Sequence, residues 1–259
     1  MSDLASSISA RANAFKFGYV ATFKVDCDGR PYHAGTITAV AFPNVTVLVT
    51  AAHVLERDMR NKCDEENQIF VFMKDGLRQV QRFHTSKLPL PNGELLDLTI
   101  FVPEGMNIAE IAQVPIPATI IRRLPLHEQL YLGACGFPES KNRRKGRDLS
   151  SRPYGYFGKI GKEAAVIRAG YDPRFYFSIK IDLKRVYRGN LKEVIAPAPE
   201  GISGGPVFTV FDFNDSTFDR TELAGIVVAR DKQKKHLICV KGEFIEHIVS
   251  AAFSDGAIK

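Results

Sequence analysis

The segment of this chain most suited to chemistry is Gly201-Ile202-Ser203-Gly204-Gly205-Pro206. Glycine permits positive φ values and close approach of other atoms, and proline fixes the backbone where the turn ends. A serine on such a turn presents its hydroxyl outward, while the N–H groups of Gly201 and Ser203 can converge on one point. The segment therefore predicts a nucleophilic serine beside an oxyanion hole formed by Gly201 and Ser203, with a plain tight turn between strands as the alternative.

A histidine follows an apolar strand in Val47-Leu48-Val49-Thr50-Ala51-Ala52-His53-Val54. The small residues before His53 let the turn pack closely and leave the imidazole at the end of the strand. A histidine in apolar surroundings is commonly a structural core residue. Its position ahead of the serine turn instead favours a general base.

An aspartate, Asp97, lies inside the apolar run Leu95-Leu96-Asp97-Leu98-Thr99-Ile100. Burial of a carboxylate is costly unless a hydrogen bond compensates it. A carboxylate that accepts the Nδ1–H of a histidine meets this condition and fixes the tautomer in which Nε2 is the base. Asp97 is therefore the predicted partner of His53. An ordinary strand-end aspartate is the alternative, and Asp58 and Asp75 are the next acids to consider.

The order of His53, Asp97 and Ser203 within Thr-Ala-Ala-His, Asp-Leu-x-Ile and Gly-x-Ser-Gly-Gly-Pro resembles that of the trypsin/chymotrypsin-type serine proteases. Intervals of 44 and 106 residues suit the two-barrel layout of that family. Two further segments, Gly133–Pro138 and Ala196–Glu200, resemble bacterial Deg-type members. The resemblance extends over nearly the whole chain.

This resemblance implies an all-β fold of two six-stranded antiparallel barrels with the active site between them. Residues 15–115 would form the first barrel with His53 and Asp97, and residues 116–259 the second barrel with Ser203, the oxyanion hole and a C-terminal helix. Ser203 would attack a peptide carbonyl and form an acyl-enzyme, while His53 moves the proton and Asp97 orients the imidazole. The chain is thus expected to be a serine endopeptidase that needs no metal and no organic cofactor.

The elements that must position these residues are mostly short strands, because β-branched and aromatic runs alternate with turn residues. Helical spacing predicts one short helix at Asp3–Ala14 and another at Gly242–Phe253. A proline-containing stretch after Val102 reads as the connection between the two halves. The predicted strands are Tyr19–Val25, Tyr32–Ala41, Val45–Thr50, Ile69–Met73, Leu77–Phe83, Leu98–Val102, Gln129–Gly136, Tyr154–Lys159, Phe175–Leu183, Pro206–Phe211, Leu223–Val228 and His236–Val240.

The composition is that of a globular protein, with 259 residues, 45% hydrophobic and 25% charged. No apolar run approaches the roughly 20 residues that span a bilayer, so no membrane partner is expected. The beginning of the chain has neither the basic start nor the apolar stretch of a secretory signal. The four cysteines share no CxxC spacing. Free thiols and a cytoplasmic location are therefore predicted.

The net charge of +6 allows a different class of function. Basic clusters can hold phosphates or acidic partners, although solvated loop tips are the favoured interpretation. They occur at Arg143–Arg147, Lys184-Arg185 and Lys232–Lys235. A protease-fold binding protein that uses this basic surface for acidic protein or nucleic acid, with little turnover, is thus one alternative, and an esterase for small acyl substrates is another. No nucleic-acid-binding signature accompanies the charge. The expected partners are a protein or peptide substrate and a regulatory partner or effector. The segment Lys141–Arg152 is a candidate regulatory loop.

Departures from the family pattern bear on activation and specificity. Ile202 stands where animal digestive members carry the aspartate that pairs with a new N-terminus, so activation by N-terminal cleavage is not expected. Pro197 stands where trypsin-like members place an acid. The strand Leu223–Arg230, which includes Val228, resembles the one lining the specificity pocket, and it ends in Arg230 where the family often has glycine. Arg230 would occlude the pocket, attract an acidic substrate residue or face the solvent. A narrow substrate range without a preference for basic side chains is predicted.

Overall fold

Antiparallel strands make up most of the computed structural model of this chain. It describes residues 18–25, 30–55, 69–73, 76–80, 83–103, 111, 114–123, 125–141, 143–145, 148–188, 193–194, 197–212, 221–231, 233 and 235–254. The predicted helix at Asp3–Ala14 and the residues Cys27, Asp58, Cys63 and Asp75 lie outside this description.

The first half of the chain forms one sheet of eight strands. Seven of them are antiparallel in the order β5-β4-β1-β2-β3-β7-β6, and the short β8 pairs with β2 in parallel. In the described residues no pairing joins β5 to β6, so this sheet is not seen as a closed six-stranded barrel. The strands are β1 (Tyr19–Val25), β2 (Pro31–Ala41), β3 (Thr46–Thr50), β4 (Ile69–Met73), β5 (Gly76–Val80), β6 (Phe83–Pro89), β7 (Leu95–Pro103) and β8 (Ile116–Pro117).

The second half contains a closed barrel of six strands, as the family resemblance implied. The order β12-β9-β15-β16-β17-β13 closes because β13 also pairs with β12, and β14 extends β13. A separate ribbon joins β10 to β11. The strands are β9 (Leu130–Gly136), β10 (Arg143–Lys145), β11 (Asp148–Ser150), β12 (Tyr154–Ile160), β13 (Tyr176–Arg188), β14 (Glu193–Val194), β15 (Pro206–Asp212), β16 (Leu223–Arg230) and β17 (His236–Lys241).

Most predicted strands are confirmed to within a few residues, and two segments differ from their prediction. The predicted strand Leu77–Phe83 is wrong as one element, because β5 ends at Val80 and Phe83 begins β6. Polar residues fill much of β6, which pairs with β7 alone among the described strands, and an edge strand tolerates such a sequence. The segment Lys141–Arg152, expected to be a loop, contains the ribbon of β10 and β11.

Three α-helices are present in the described residues, α1 (Ala52–Leu55), α2 (Glu163–Arg168) and α3 (Glu243–Ser254). The last confirms the predicted C-terminal helix. It follows the second barrel in sequence but packs against β6 and β7 of the first sheet. Its fully buried Ile245 and Ile248 belong to the same core cluster as Leu98 of β7. The helix therefore couples the two halves of the chain.

The described residues include no helix long and apolar enough to cross a membrane. They likewise include no group of three histidine, cysteine or acidic side chains arranged to hold a metal ion. Two of the four cysteines, Cys135 and Cys239, are buried free thiols, as predicted.

The packing of α3 on the first sheet predicts a large stability effect from a single truncation. Ile248→Ala removes a side chain with 0% exposure and should lower the free energy of unfolding by about 2–5 kcal/mol, measured by urea denaturation. Ser250→Ala, at an exposed position on the same helix, is the matched control and should change it by less than about 0.5 kcal/mol. Equal effects of the two variants would show that α3 is not part of the core.

Candidate active site

His53 and Asp97 form a hydrogen-bonded pair, as the sequence predicted. His53 lies in α1, directly after β3, and Asp97 lies in β7, which pairs with β3. The Nδ1 atom of His53 is 3.0 Å from Oδ2 and 3.1 Å from Oδ1 of Asp97. The backbone N–H of His53 also donates to Asp97 Oδ1 at 3.2 Å. This arrangement holds Nδ1 on the carboxylate and leaves Nε2 as the other ring nitrogen.

The second half of the chain supports this pair through Tyr176, which the sequence analysis did not identify. The Asp97 backbone N–H donates to the Tyr176 hydroxyl oxygen at 3.1 Å. Burial raises the pKa of Tyr176 to about 12, so its hydroxyl is neutral at physiological pH. Asp97 is flanked in β7 by the fully buried Leu96 and Leu98. The aspartate is thus held from both halves, while the His53 side chain stays 47% exposed and open to a substrate.

The Ser203 turn belongs to the second half, but hydrogen bonds attach it to the first sheet. The Thr36 N–H donates to the Ser203 carbonyl at 2.7 Å, and the Thr38 hydroxyl donates to the Gly204 carbonyl at 2.7 Å. The Thr50 hydroxyl, three residues before His53, donates to the Thr36 carbonyl at 2.8 Å. These bonds tie the serine turn to the strands that carry the histidine.

Gly35 and Gly204 show how closely the two halves approach. A Cβ at Gly35 would lie 2.8 Å from the Val54 side chain and 2.9 Å from the Ser203 carbonyl oxygen. The residue after His53 and the serine turn therefore pack against the same glycine. At Gly204, φ is +89° and a Cβ would collide with the Thr36 carbonyl and the Thr50 hydroxyl. Only glycine fits this position.

Gly201 and Ser203 are the predicted oxyanion-hole donors, and a hydrogen bond next to Gly201 fixes the direction of its N–H. The Glu200 carbonyl accepts the Glu139 N–H at 2.7 Å. Because the carbonyl and N–H of a trans peptide point in opposite directions, this bond turns the Gly201 N–H away from Glu139. In the part of the chain that the structure describes, neither the Gly201 N–H nor the Ser203 N–H donates to a protein acceptor.

The Ser203 hydroxyl itself donates to the Val228 carbonyl on β16, at 3.3 Å. Val228 is buried and lies in the strand predicted to line the specificity pocket. Pro197 is also buried, and its carbonyl accepts the hydroxyl of the fully buried Tyr156 at 3.1 Å. The residues predicted to bind substrate are therefore on or next to the elements that surround Ser203.

Arg230 does not face the solvent. Its side chain is 14% exposed and is paired with Glu200, the Nη1–Oε1 distance being 3.0 Å. The sequence analysis missed Glu200, whose only signal is its position directly before Gly201. The ion pair therefore reaches from the end of β16 to the residue that opens the serine turn.

His33 packs beneath the serine turn. A Cβ at Gly201, where φ is +91°, would lie 2.6 Å from His33 Nδ1. The His33 ring also meets the Phe23 ring edge-on, with the ring centroids 5.4 Å apart. Burial lowers the pKa of His33 to about 4. The imidazole is therefore neutral at physiological pH, and its protonation would place a charge under the turn.

No family model and no curated protein matches this chain. Among solved structures, the serine endoprotease from Yersinia pestis aligns over 97% of this chain and 67% of its own, with 15% identity and a TM-score of 0.51. The granzyme GrC aligns over 91% of this chain and 94% of its own, with 13% identity and a TM-score of 0.51. A Mycobacterium tuberculosis protease in its active form aligns over 95% of this chain and 85% of its own, with 15% identity and a TM-score of 0.49. The chain has a chymotrypsin-like fold.

The low pKa of His33 predicts a pH dependence of stability. Because the folded state binds the His33 proton only near pH 4 and the unfolded state near pH 6.5, stability is lost as the pH falls through this interval. The loss attributable to this residue is about 3 kcal/mol. His33→Gln should remove it, so urea unfolding of the variant should depend less on pH between 6.5 and 4. His247→Gln, at an exposed position, should match the parent protein, and an unchanged slope in His33→Gln would refute the assignment.

Proposed function

We propose that this protein is a serine endopeptidase that acts through Ser203, His53 and Asp97. The observation that carries the proposal is the His53–Asp97 hydrogen bond beside a serine turn whose Gly201 and Ser203 N–H groups are available to an oxyanion. A nucleophile, a base with an orienting acid, and two convergent donors are the parts that acyl transfer requires.

In the proposed reaction, the Ser203 hydroxyl leaves the Val228 carbonyl when substrate binds and transfers its proton to His53 Nε2. The Ser203 Oγ–carbonyl carbon bond forms, and the Gly201 and Ser203 N–H groups stabilise the oxyanion. The C–N bond then breaks as His53 returns the proton to the leaving amine. Water, deprotonated by His53, hydrolyses the acyl-enzyme and restores Ser203. Side chains and backbone supply every step, so no metal or organic cofactor is required.

We further propose that activity does not depend on cleavage near the N-terminus. Ile202, directly before the serine, is 1% exposed and packs against Gly136, where a Cβ would lie 2.8 Å from Ile202 Cβ. Apolar packing and the threonine hydrogen bonds hold the turn where an ion pair would otherwise be needed. The division at residues 115 and 116 and a cytoplasmic location stay predictions.

The binding-protein and esterase alternatives share the fold and differ in turnover. A binding protein does not need Ser203, His53 and Asp97 to be aligned. In this chain His53 and Asp97 are hydrogen-bonded as the reaction requires. Incubation with casein and with a nitrophenyl ester, together with a nucleic-acid shift assay across salt concentrations, separates the three functions.

Covalent labelling tests the nucleophile. A fluorophosphonate should label the protein at Ser203, as mapped by peptide mass spectrometry, and Ser203→Ala should abolish the label because it removes the proposed nucleophile. Ser250→Ala is the matched control and should label like the parent protein. Unchanged labelling of Ser203→Ala would remove Ser203 from the site.

Removing the orienting charge tests Asp97. Asp97→Asn should lower the turnover rate by up to about 10⁴-fold, because the amide no longer holds the productive tautomer of His53. Asp172→Asn changes a nearby acid that is paired with Arg174, and its turnover should stay within a few-fold of the parent rate. A nearly silent Asp97→Asn would reassign the acid.

A further inference from the structure

We propose that Arg230 selects substrates with an acidic side chain next to the scissile bond, and that Glu200 holds the guanidinium in place until the substrate carboxylate replaces it. The proposal rests on the proposed function, because it names the substrate class of the same site. It identifies Arg230 as a specificity-determining residue and Glu200 as its resident counter-ion.

Two independent connections place the Arg230 guanidinium next to Ser203. Along β16, Arg230 follows Val228 by two residues, and the Val228 carbonyl accepts the Ser203 hydroxyl at 3.3 Å. Through its side chain, Arg230 donates from Nη1 to Glu200 Oε1 at 3.0 Å, and Glu200 directly precedes the proposed oxyanion donor Gly201. A substrate carbonyl bound at Gly201 and Ser203 therefore brings its neighbouring side chain close to this ion pair.

The two partners of the ion pair differ in burial, and this difference decides which of them moves. The Arg230 side chain is 14% exposed, whereas that of Glu200 is 49% exposed. A guanidinium keeps its charge at any physiological pH, and its burial is tolerated only with an anionic partner. A substrate carboxylate can take over that role at little desolvation cost, because the half-exposed Glu200 can turn into water.

Displacement of the Glu200 side chain does not disturb the oxyanion turn. The backbone carbonyl of Glu200 is held separately by the Glu139 N–H at 2.7 Å, and this bond sets the direction of the Gly201 N–H. The Glu200 side chain contributes to substrate selection, while the Glu200 main-chain carbonyl keeps the Gly201 N–H in its direction. Recognition and catalysis can therefore proceed at one residue without conflict.

Among the described residues beside the ion pair, Pro197 and Tyr156 offer no negative charge to a basic side chain. Pro197 is buried, and its carbonyl is occupied by the Tyr156 hydroxyl. Burial raises the pKa of Tyr156 well above its usual value, with Glu200 raising it further and Arg230 opposing them, so its hydroxyl stays neutral beside the ion pair. A lysine or arginine in this space would place a second cation beside Arg230 and compete with it for Glu200, so basic substrates are disfavoured.

Labelling rates with peptidyl diphenylphosphonates test the proposal without a known substrate. Three probes differ only in the side chain that precedes the reactive phosphorus, which is that of glutamate, glutamine or lysine. In the parent protein, the second-order rate of Ser203 labelling should be about tenfold or more higher for the glutamate probe than for the glutamine probe, and lowest for the lysine probe.

Two variants assign this preference to the ion pair. Arg230→Gln should reduce the glutamate-to-glutamine rate ratio to near one, whereas Arg123→Gln, an exposed arginine paired with Glu246, should leave the ratio unchanged. Glu200→Gln removes the competing carboxylate and keeps Arg230. It should raise the labelling rate of the glutamate probe several-fold and increase the ratio of the glutamate-probe rate to the lysine-probe rate. This result can be obtained whether or not Arg230→Gln folds.

The outcomes separate this inference from the proposed function. Fluorophosphonate labelling of Ser203 without a glutamate preference overturns the role of Arg230 and leaves the peptidase proposal intact. A glutamate preference that persists in Arg230→Gln, or a slower glutamate probe in Glu200→Gln, overturns it as well. Absence of any Ser203 labelling in the parent protein contradicts the proposed function itself.

Discussion

The structure depends on the hydrogen bonds that attach the serine turn to the first sheet. Ser203 belongs to the second half of the chain, whereas His53 and Asp97 belong to the first, so their alignment requires the two halves to be held in register. The Thr36 N–H and the Thr38 hydroxyl, two residues apart on β2, bind successive carbonyls of the turn at 2.7 Å each. The collision that a Cβ at Gly204 would make with Thr36 and Thr50 shows how little displacement this contact allows.

Support also passes in the opposite direction. Tyr176 of the second barrel accepts the Asp97 backbone N–H, and α3 packs on β6 and β7. Each half thus buries groups that the other needs, and neither half holds a complete site. Because each half packs against the other, one core cluster continues from the first sheet to the C-terminal helix.

The sequence predicted local features well because their causes are local. Strands such as Ile69–Met73 follow from β-branched and aromatic runs bounded by turn residues, and β6 was missed because its residues are largely polar. The pairing of His53 with Asp97 was predicted from residue types that need each other. Tyr176 could not be predicted in this way, because 79 residues separate it from Asp97 and no local pattern marks the contact.

Arg230 shows the same limit at the end of β16. The sequence left three orientations open, since a charged residue at a strand end can face water or a cleft. The choice depends on Glu200, 30 residues away, and on the burial of both side chains. Thr36 and Thr38 lie two residues apart on β2, so their side chains point the same way, and both hydroxyls donate to the serine turn, to the Gly201 carbonyl at 3.4 Å and the Gly204 carbonyl at 2.7 Å. This alternation is a signal that could have found the threonine side-chain contacts.

The central claim is that His53 and Asp97 of the first half act together with Ser203 and the two oxyanion donors of the second half on one substrate carbonyl group. A crystal structure of the protein after reaction with a phosphonate tests it most directly. The account predicts phosphorus bonded to Ser203 Oγ and a phosphonyl oxygen within hydrogen-bond distance of the N–H groups of Gly201 and Ser203. An adduct on another residue, or a phosphonyl oxygen directed away from both N–H groups, would contradict it.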